Sequence, residues 1–383
     1  MSTKPNFKMK SAFINRQKEL SYLYEWINQE PNHILFVYGP KSSGKTTLLI
    51  QFVKKYLDNK HYDLKHFNLR EMLIVNYSDF IQTFFEVDFS KSKEDSKRKR
   101  EYNLKLFKLS EEIIKSIEYK KLDPFVVMKK ELWKIIEKGK RPIIIIDEVQ
   151  ALDNIYMNGQ RELLKELFNF FVSITKESHL CHVVIASSDG YFMNRLYDDS
   201  KLSKTSKFLE IEYFDEQTTK TWLSNLEKEN SITSFTLTNT QIDTIWKYFG
   251  GSIWEIVSVL GDLINFAENN KIKNKDLKNV IQTMIVLNKG KFLNYSILNE
   301  NKTLLLKELY KICNGSDYFD ASSLKGLISK NFYEESGLKD ELTNLVKLNI
   351  LAFNPTTSLF KLQGNSMYYG LKEYTESLSS DFL

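Results

Sequence analysis

An apolar run, Asn32–Tyr38 (NHILFVY), breaks into Gly39-Pro-Lys-Ser-Ser-Gly-Lys-Thr46, and from Thr46 to Tyr56 apolar residues return at helical spacing. The pattern predicts a strand, a tight loop and a helix. The octapeptide satisfies G-x-x-x-x-G-K-[ST] at every fixed position, in the strand-to-helix context that gives this pattern meaning. Glycines let the main chain curl so that several N–H groups point inward. The following helix adds its positive end, and together they make a nest for phosphate oxygens. The candidate phosphate-binding residues are therefore Gly39, Pro40, Lys41, Ser42, Ser43, Gly44, Lys45, Thr46 and Thr47. Lys45 supplies charge to the β- and γ-phosphates, as a catalytic as well as a binding residue, and the Thr46 hydroxyl is placed to ligate magnesium.

Pro142–Ile146 (PIIII) is an all-apolar, β-branched stretch that closes on Asp147 and Glu148. It predicts a central parallel strand buried on both faces, with two carboxylates at the end where open α/β sheets bind ligands. Asp147 is the candidate magnesium residue. Adjacent residues at a strand end diverge, which leaves Glu148 to act on a water aligned with the γ-phosphate, as general base or orienter. His182–Ala186 predicts another strand, followed by Ser187 and Ser188. Either hydroxyl is a candidate contact for the γ-phosphate or its water, although serines also end strands for conformational reasons alone. Arg195, within two turns, is a catalytic candidate if it faces the phosphates and a solvated surface arginine otherwise. Cys181 and His182 begin that strand, away from its catalytic end, and read as core.

Tyr62–Asn68 predicts a second strand, Phe208–Tyr213 a fifth, and Ser78–Val87 and Asn103–Ile117 predict helices. Strands separated by helical stretches of this length require right-handed crossovers, so about 12–215 predicts a three-layer α/β domain. Asp215–Leu287 shows helical periodicity with one break at Gly250-Gly251, which predicts a small helical subdomain. Helical stretches at Asn301–Cys313, Ala321–Asn331 and Gly337–Leu348 are followed by two strand-like runs, Leu351–Asn354 and Ser358–Leu362, in the order of a winged helix. The expected domains are 1–214 (with an insertion at about 89–121), 215–290 and 291–383.

At 383 residues and 42% apolar content the chain can form two or three packed cores. With six prolines and fourteen glycines among many Lys, Glu, Leu and Ile residues, helix should dominate. Two cysteines, Cys181 and Cys313, make no disulfide framework or metal-ligand spacing and fit a reducing compartment. The polar, basic Met1–Phe13 lacks the apolar stretch of a secretory signal, and no segment approaches the roughly 18 apolar residues of a membrane span. A soluble, cytoplasmic protein with no membrane partner is expected.

Phe13-Ile-Asn-Arg16-Gln-Lys-Glu19-Leu20 resembles the F-[VI]-[GN]-R-x-x-E-L signature that precedes the phosphate loop in the archaeal ATPase family, a group of P-loop NTPases related to the STAND and AAA+ ATPases. With GPKSSGKTTLL, IIIIDEVQAL, ASSDGYF and GGSIW in this order, the resemblance spans roughly Phe13–Trp254 and extends more weakly to the tail. It implies an additional-strand P-loop core that binds ATP and magnesium, with Asn15 and Arg16 near the adenine. It also implies a helical lid and a C-terminal winged-helix domain. The chain departs from the family pattern twice. Ile253 stands where members usually carry proline in a turn that approaches the base. The stretch from about Phe89 to Lys121 exceeds the core's needs and holds Lys91–Arg100, with six basic and two acidic residues, a local +4. Such a run is a solvated loop or a contact for nucleic acid or another acidic partner.

These readings converge on a magnesium-dependent ATPase, with ATP and ADP as ligands. Its expected function is an ATP-driven conformational switch acting on a protein partner or on a second copy of the chain. The alternative is a DNA-associated AAA+-like loader or transposition or replication helper, using the winged helix and basic run. Residues 301–383 hold nine lysines, no arginine and ten acids, which argues for protein over DNA. An inactive nucleotide-binding scaffold is disfavoured by intact Lys45, Asp147 and Glu148.

Overall fold

A computed structural model describes residues 9, 12–87, 107–157, 159, 161–190, 192–193 and 202–380. They form two compact units. One comprises Gln17–Tyr38 and Lys45–Glu210, and the other the described parts of Met1–Arg16, Gly39–Gly44 and Ile211–Leu383.

The strands of the first unit are β1 (Ile34–Tyr38), β2 (Tyr62–Asn68), β3 (Phe85–Val87), β4 (Phe107–Leu109), β5 (Arg141–Asp147), β6 (His182–Ser187) and β7 (Ser206–Glu210). Its helices are α1 (Gln17–Ile27), α2 (Lys45–Tyr56), α3 (Tyr77–Phe84), α4 (Glu111–Glu118), α5 (Pro124–Glu137) and α6 (Leu163–Val172). Five strands make one parallel sheet in the order β2-β5-β6-β1-β7. Every residue of β1 and β6 is buried, as are all of β5 but Arg141. Burial on both faces is why these segments read as unbroken apolar runs rather than alternations. Ile34, Phe36, Ile144 and Ile146 join a core with Phe80, Phe84, Met128, Leu132, Leu167 and Phe168 from α3, α5 and α6. α5 starts sharply because Asp123 caps it, its Oδ1 accepting from Phe125 N–H at 2.8 Å, and Pro124 takes the first turn.

The strand expected at Phe208–Tyr213 is β7, which starts two residues earlier, at Ser206, and ends three earlier, at Glu210. The helix expected at Ser78–Val87 ends at Phe84 and gives way to β3. Asn103–Ile117 is not one helix: Phe107–Leu109 is β4, paired in parallel with β3, and α4 begins only at Glu111. Buried Phe107 and Leu109 alternate with exposed Lys108, a period of two that a helical reading of so short a run overlooks. Lys91–Arg100 lies outside the described residues.

In the second unit, helices Glu216–Leu223, Asn239–Phe249, Ile253–Leu263 and Asn274–Ser296 enclose Trp222, Phe249, Ile256, Leu260 and Ile281. The last helix runs on beyond Leu287, where the sequence pattern ended. β8 (Phe235–Thr236) and β9 (Asn270–Lys271) form a short parallel pair within this part. Gly251 is required by close approach: a Cβ there would lie 1.9 Å from Phe214 O. After the helix Glu300–Cys313 come a short helical turn, Ala321–Ser329, and the helix Glu335–Lys347. The antiparallel hairpin β10 (Leu351–Asn354) and β11 (Leu359–Leu362) follows, then the helix Asn365–Ser380. Among the described residues no helix is long and apolar enough to cross a membrane.

At the start of β6, His182 is 2% exposed, with its ring edge-on to Trp26 and Nε2 bonded to Gln29 O at 3.1 Å. Burial pushes its pKa down from 6.5 to about 4 despite that bond. The unfolded chain then binds a proton below pH 6.5 that the folded chain refuses until about pH 4, so stability is lost as pH falls through this window, by at most about 3 kcal/mol. We expect the melting temperature of His182→Gln to fall less steeply than wild type between pH 6.5 and 4. Parallel profiles in calorimetry would contradict this.

Candidate active site

Parallel register brings the carboxyl ends of the first unit's strands to one edge. Asn68 pairs with Asp147, Asp147 with Ala186, and Tyr38 with Ser187. Asp147 closes β5 and is 1% exposed. Its Oδ2 accepts a hydrogen bond from Thr46 Oγ1 at 2.5 Å, while Oδ1 is buried with no hydrogen-bond partner. Thr46 is the second residue of α2, whose own first turn holds no acidic side chain, so it is the Asp147 carboxylate that lies at the positive end of this helix. Lys45, the first residue of α2, is also buried, and Thr47 is exposed. A carboxylate oxygen left orphaned inside a protein is costly. An orphaned oxygen next to a hydroxyl is a hard oxygen-donor set, the kind magnesium takes, so Thr46 and Asp147 fit a divalent cation.

Glu148 leaves the strand in the left-handed region, φ 61° and ψ 47°, with its N–H still bonded to Ala186 O at 2.9 Å. The turn takes Glu148 out of the strand's alternation, and its carboxylate has other partners. Oε1 accepts from Arg70 Nη2, just beyond β2, and Oε2 accepts from Gln150 Nε2. Gln150 Oε1 in turn accepts from Ser187 Oγ at 2.8 Å, and Ser187 Oγ accepts from Asp189 N–H at 3.0 Å. Both the donor and an acceptor position of Ser187 are therefore used within the protein. Ser188 is half-buried. Arg195 lies outside the described residues.

Gly39–Gly44 belongs to the second unit, with Ser42 (φ 65°) and Gly44 (φ 93°) in the left-handed region and Ser43 N–H bonded back to Pro40 O at 3.3 Å. At Gly39 (φ 149°) a Cβ would meet Ile211 O at 2.2 Å, so only glycine fits. Arg16 is buried, and its Nη2 donates to Ser43 O at 2.9 Å and to Glu212 O at 2.6 Å while the guanidinium lies over the Phe214 ring. Exposed Asn15 donates from Nδ2 to Thr218 Oγ1 at 2.7 Å. Ile253 lies beside the loop, its Cδ1 3.3 Å from where a Cβ on Gly44 would be.

Arg70 and Gln150, which hold Glu148, went unread in the sequence. Gln150 stands within the quoted IIIIDEVQAL run, three residues past Asp147, but nothing in that run shows which way its side chain points. Arg70 is placed by the pairing of Asn68 with Asp147, a fact of register.

This parallel sheet, its glycine-bracketed loop between β1 and α2, and the hydroxyl–carboxylate pair at its edge are those of a P-loop ATPase. The chain belongs to the family described as an ATPase domain predominantly from Archaea, whose model matches residues 13–259. Among its relatives in Methanocaldococcus jannaschii is the uncharacterized ATP-binding protein MJ0074, 34% identical over 380 residues that cover 94% of this chain and 99% of that protein. Another is the uncharacterized ATP-binding protein MJ1076, 33% identical over 368 residues covering 94% and 98%. The fold is similar to that of the Walker-type ATPase PABY2304 of Pyrococcus abyssi, with a TM-score of 0.63 at 18% identity, covering 94% of this chain and 96% of that one. It is also similar to the ORC2 protein of Aeropyrum pernix in its ADPNP–ADP complexes, with a TM-score of 0.53 at 12% identity and 98% of each chain covered.

Ser187→Ala removes a buried hydroxyl that serves two partners. We expect it to lower unfolding free energy in urea by about 1–3 kcal/mol. An unchanged midpoint would show that Gln150 and Asp189 find other partners.

Proposed function

We propose that this chain binds ATP with magnesium and hydrolyses it, as a conformational switch acting on a protein partner or on a second copy of itself. The observation that carries the proposal is the buried Asp147 carboxylate, with one oxygen held by Thr46, the residue after Lys45 at the head of α2, and the other unmatched. In this reading Gly39–Thr47 enfolds the phosphates, Lys45 faces the β- and γ-phosphates, and Thr46 and Asp147 hold magnesium. When bound, the metal offsets charge on the phosphates. Glu148 orients or deprotonates the attacking water, and its partners Arg70 and Gln150 fix where its carboxylate lies. Ser187, Ser188 and Arg195 remain candidates for the γ-phosphate side, and Asn15 and Arg16 for the base side. ATP-binding relatives that match nearly the whole chain support the nucleotide.

The proposed organisation is a core at 1–214, a helical lid at 215–290 and a winged-helix-like domain at 291–383. The order of three helical segments and a hairpin between Glu300 and Leu362 supports the last. Acting on protein rather than DNA is supported by the helix Glu335–Lys347, where Lys339 and Lys347 are offset by Glu335, Asp340 and Glu341. It is also supported by exposed apolar residues at the end of the helix Asn274–Ser296 and just after it: Leu287, Leu293, Ile297 and Leu298. Two free cysteines accord with a reducing compartment such as the cytoplasm.

Lys45→Ala should abolish ATP binding in calorimetry, and wild-type affinity would remove the nucleotide from this account. Glu148→Gln should retain binding while turnover falls at least about a hundredfold; a fully active variant would place the base elsewhere. Phosphate release measured with and without DNA separates the two kinds of partner, since stimulation by DNA would favour the loader reading.

A further inference from the structure

One residue of the phosphate loop, Lys41, is held through both its main-chain N–H and its carbonyl by residues far along the chain, all within the second unit. Lys41 N–H donates to Gln363 Oε1 at 3.1 Å, and Lys41 O accepts from the Tyr213 hydroxyl at 2.9 Å. Gln363 follows directly on β11, is 7% exposed, and has little freedom. Its Nε2 donates to Leu351 O at 3.2 Å and its main-chain N–H to Ile350 O at 2.9 Å, so it is tied at both ends of its side chain to the start of β10. The Tyr213 hydroxyl also lies 3.4 Å from Gln363 Oε1. Lys361, two residues back on β11, is paired through Nζ with both Glu212 carboxylate oxygens at 2.6 Å, and Glu212 O accepts from the Arg16 that holds Ser43 O.

Loops of this kind bind phosphate through main-chain N–H groups, so the set of their peptide planes decides their affinity. The peptide joining Pro40 and Lys41 is held at its N–H by Gln363, directly after the C-terminal hairpin, and the next peptide is held at its carbonyl by Tyr213. Building on the ATP-binding reading above, the geometry points to Gln363 as a positioning residue for the nucleotide. It holds the phosphate loop in its binding shape, and through it nucleotide occupancy and the β10–β11 hairpin are thermodynamically linked. Linkage is reciprocal: whatever steadies the hairpin tightens nucleotide, and nucleotide steadies the hairpin by the same factor.

The test compares wild type, Gln363→Ala and Tyr213→Phe. Affinity for magnesium with a non-hydrolysable ATP analogue is read by calorimetry, and amide hydrogen exchange at Leu351–Leu362 is read with and without that analogue. Loss of one such hydrogen bond should weaken binding about three- to tenfold in each variant. In wild type the analogue should slow exchange in the hairpin, and in Gln363→Ala that slowing should vanish, while exchange in the helix Asn239–Phe249 of the unliganded proteins stays equal and reports that the second unit is intact. Tyr213→Phe guards against a Gln363→Ala that fails to fold, since it deletes only the hydroxyl. If wild type binds the analogue but both variants bind equally or more tightly, or hairpin protection persists in Gln363→Ala, the positioning role is overturned while the ATP-binding reading stands. Failure of wild type to bind would overturn both.

Discussion

Burying an ionised carboxylate costs several kcal/mol or so unless its oxygens are matched, and Asp147 is buried with only one of them satisfied. The architecture of the first unit makes that placement possible. β6 lies between β1 and β5, so Thr46, which follows β1 by way of the loop, must reach past an intervening strand to meet Asp147. Neighbouring strands are about 4.8 Å apart, and the reach is closed because α2 starts at the same edge where β5 ends. The fully buried strands hold that edge still. Asp147 is buried while Thr46 is half-buried, so the pair sits where the sheet edge meets the surface.

Adjacent acids in this site have opposite circumstances. Asp147 stays within the strand's alternation and faces α2, whereas Glu148 turns out of it through a left-handed backbone and is gripped by a cation and an amide. One carboxylate keeps an oxygen with no hydrogen-bond partner, and the other is paired with a guanidinium. In the proposed reading this divides the labour between holding metal-bound phosphate and directing water. The division rests on backbone conformation and on two side chains, Arg70 and Gln150, from different elements.

Much of this was legible in the residues. Strands β1, β5 and β6 announce themselves as apolar runs bounded by turn or charged residues, because a parallel strand covered on both faces must be apolar throughout, whereas the edge strand β2 mixes apolar and polar residues and is buried only in part. Short elements were less legible: three-residue β3 and β4 are too brief for a period to emerge, and β7 was legible as a strand but with shifted bounds, since it opens on Ser206 and Lys207 and closes on Glu210. Within the site, the segments bearing Lys45, Thr46, Asp147 and Glu148 were readable because their spacing is local. Arg70, Tyr213 and Gln363 were not, since their roles depend on register and on contacts spanning 78, 172 and 322 positions. Ile253 stood out in the sequence as a departure from proline, and the structure gives it a neighbour, Gly44.

The loop itself shows why long-range contacts matter to function. Its left-handed turn at Ser42, which carries a Cβ, is costly for a free chain, whereas Gly44 adopts positive φ readily. Gly39, Lys41 and Ser43 are held or crowded by Ile211, Tyr213, Gln363 and Arg16. Octapeptides of this pattern have the capacity to cradle phosphate, but the cradle's shape in this protein is set by residues drawn from before the loop and from far after it. A loop shaped from a distance can be reshaped from a distance. On the proposed reading, nucleotide affinity and the position of the C-terminal hairpin are two readings of the same hydrogen bonds.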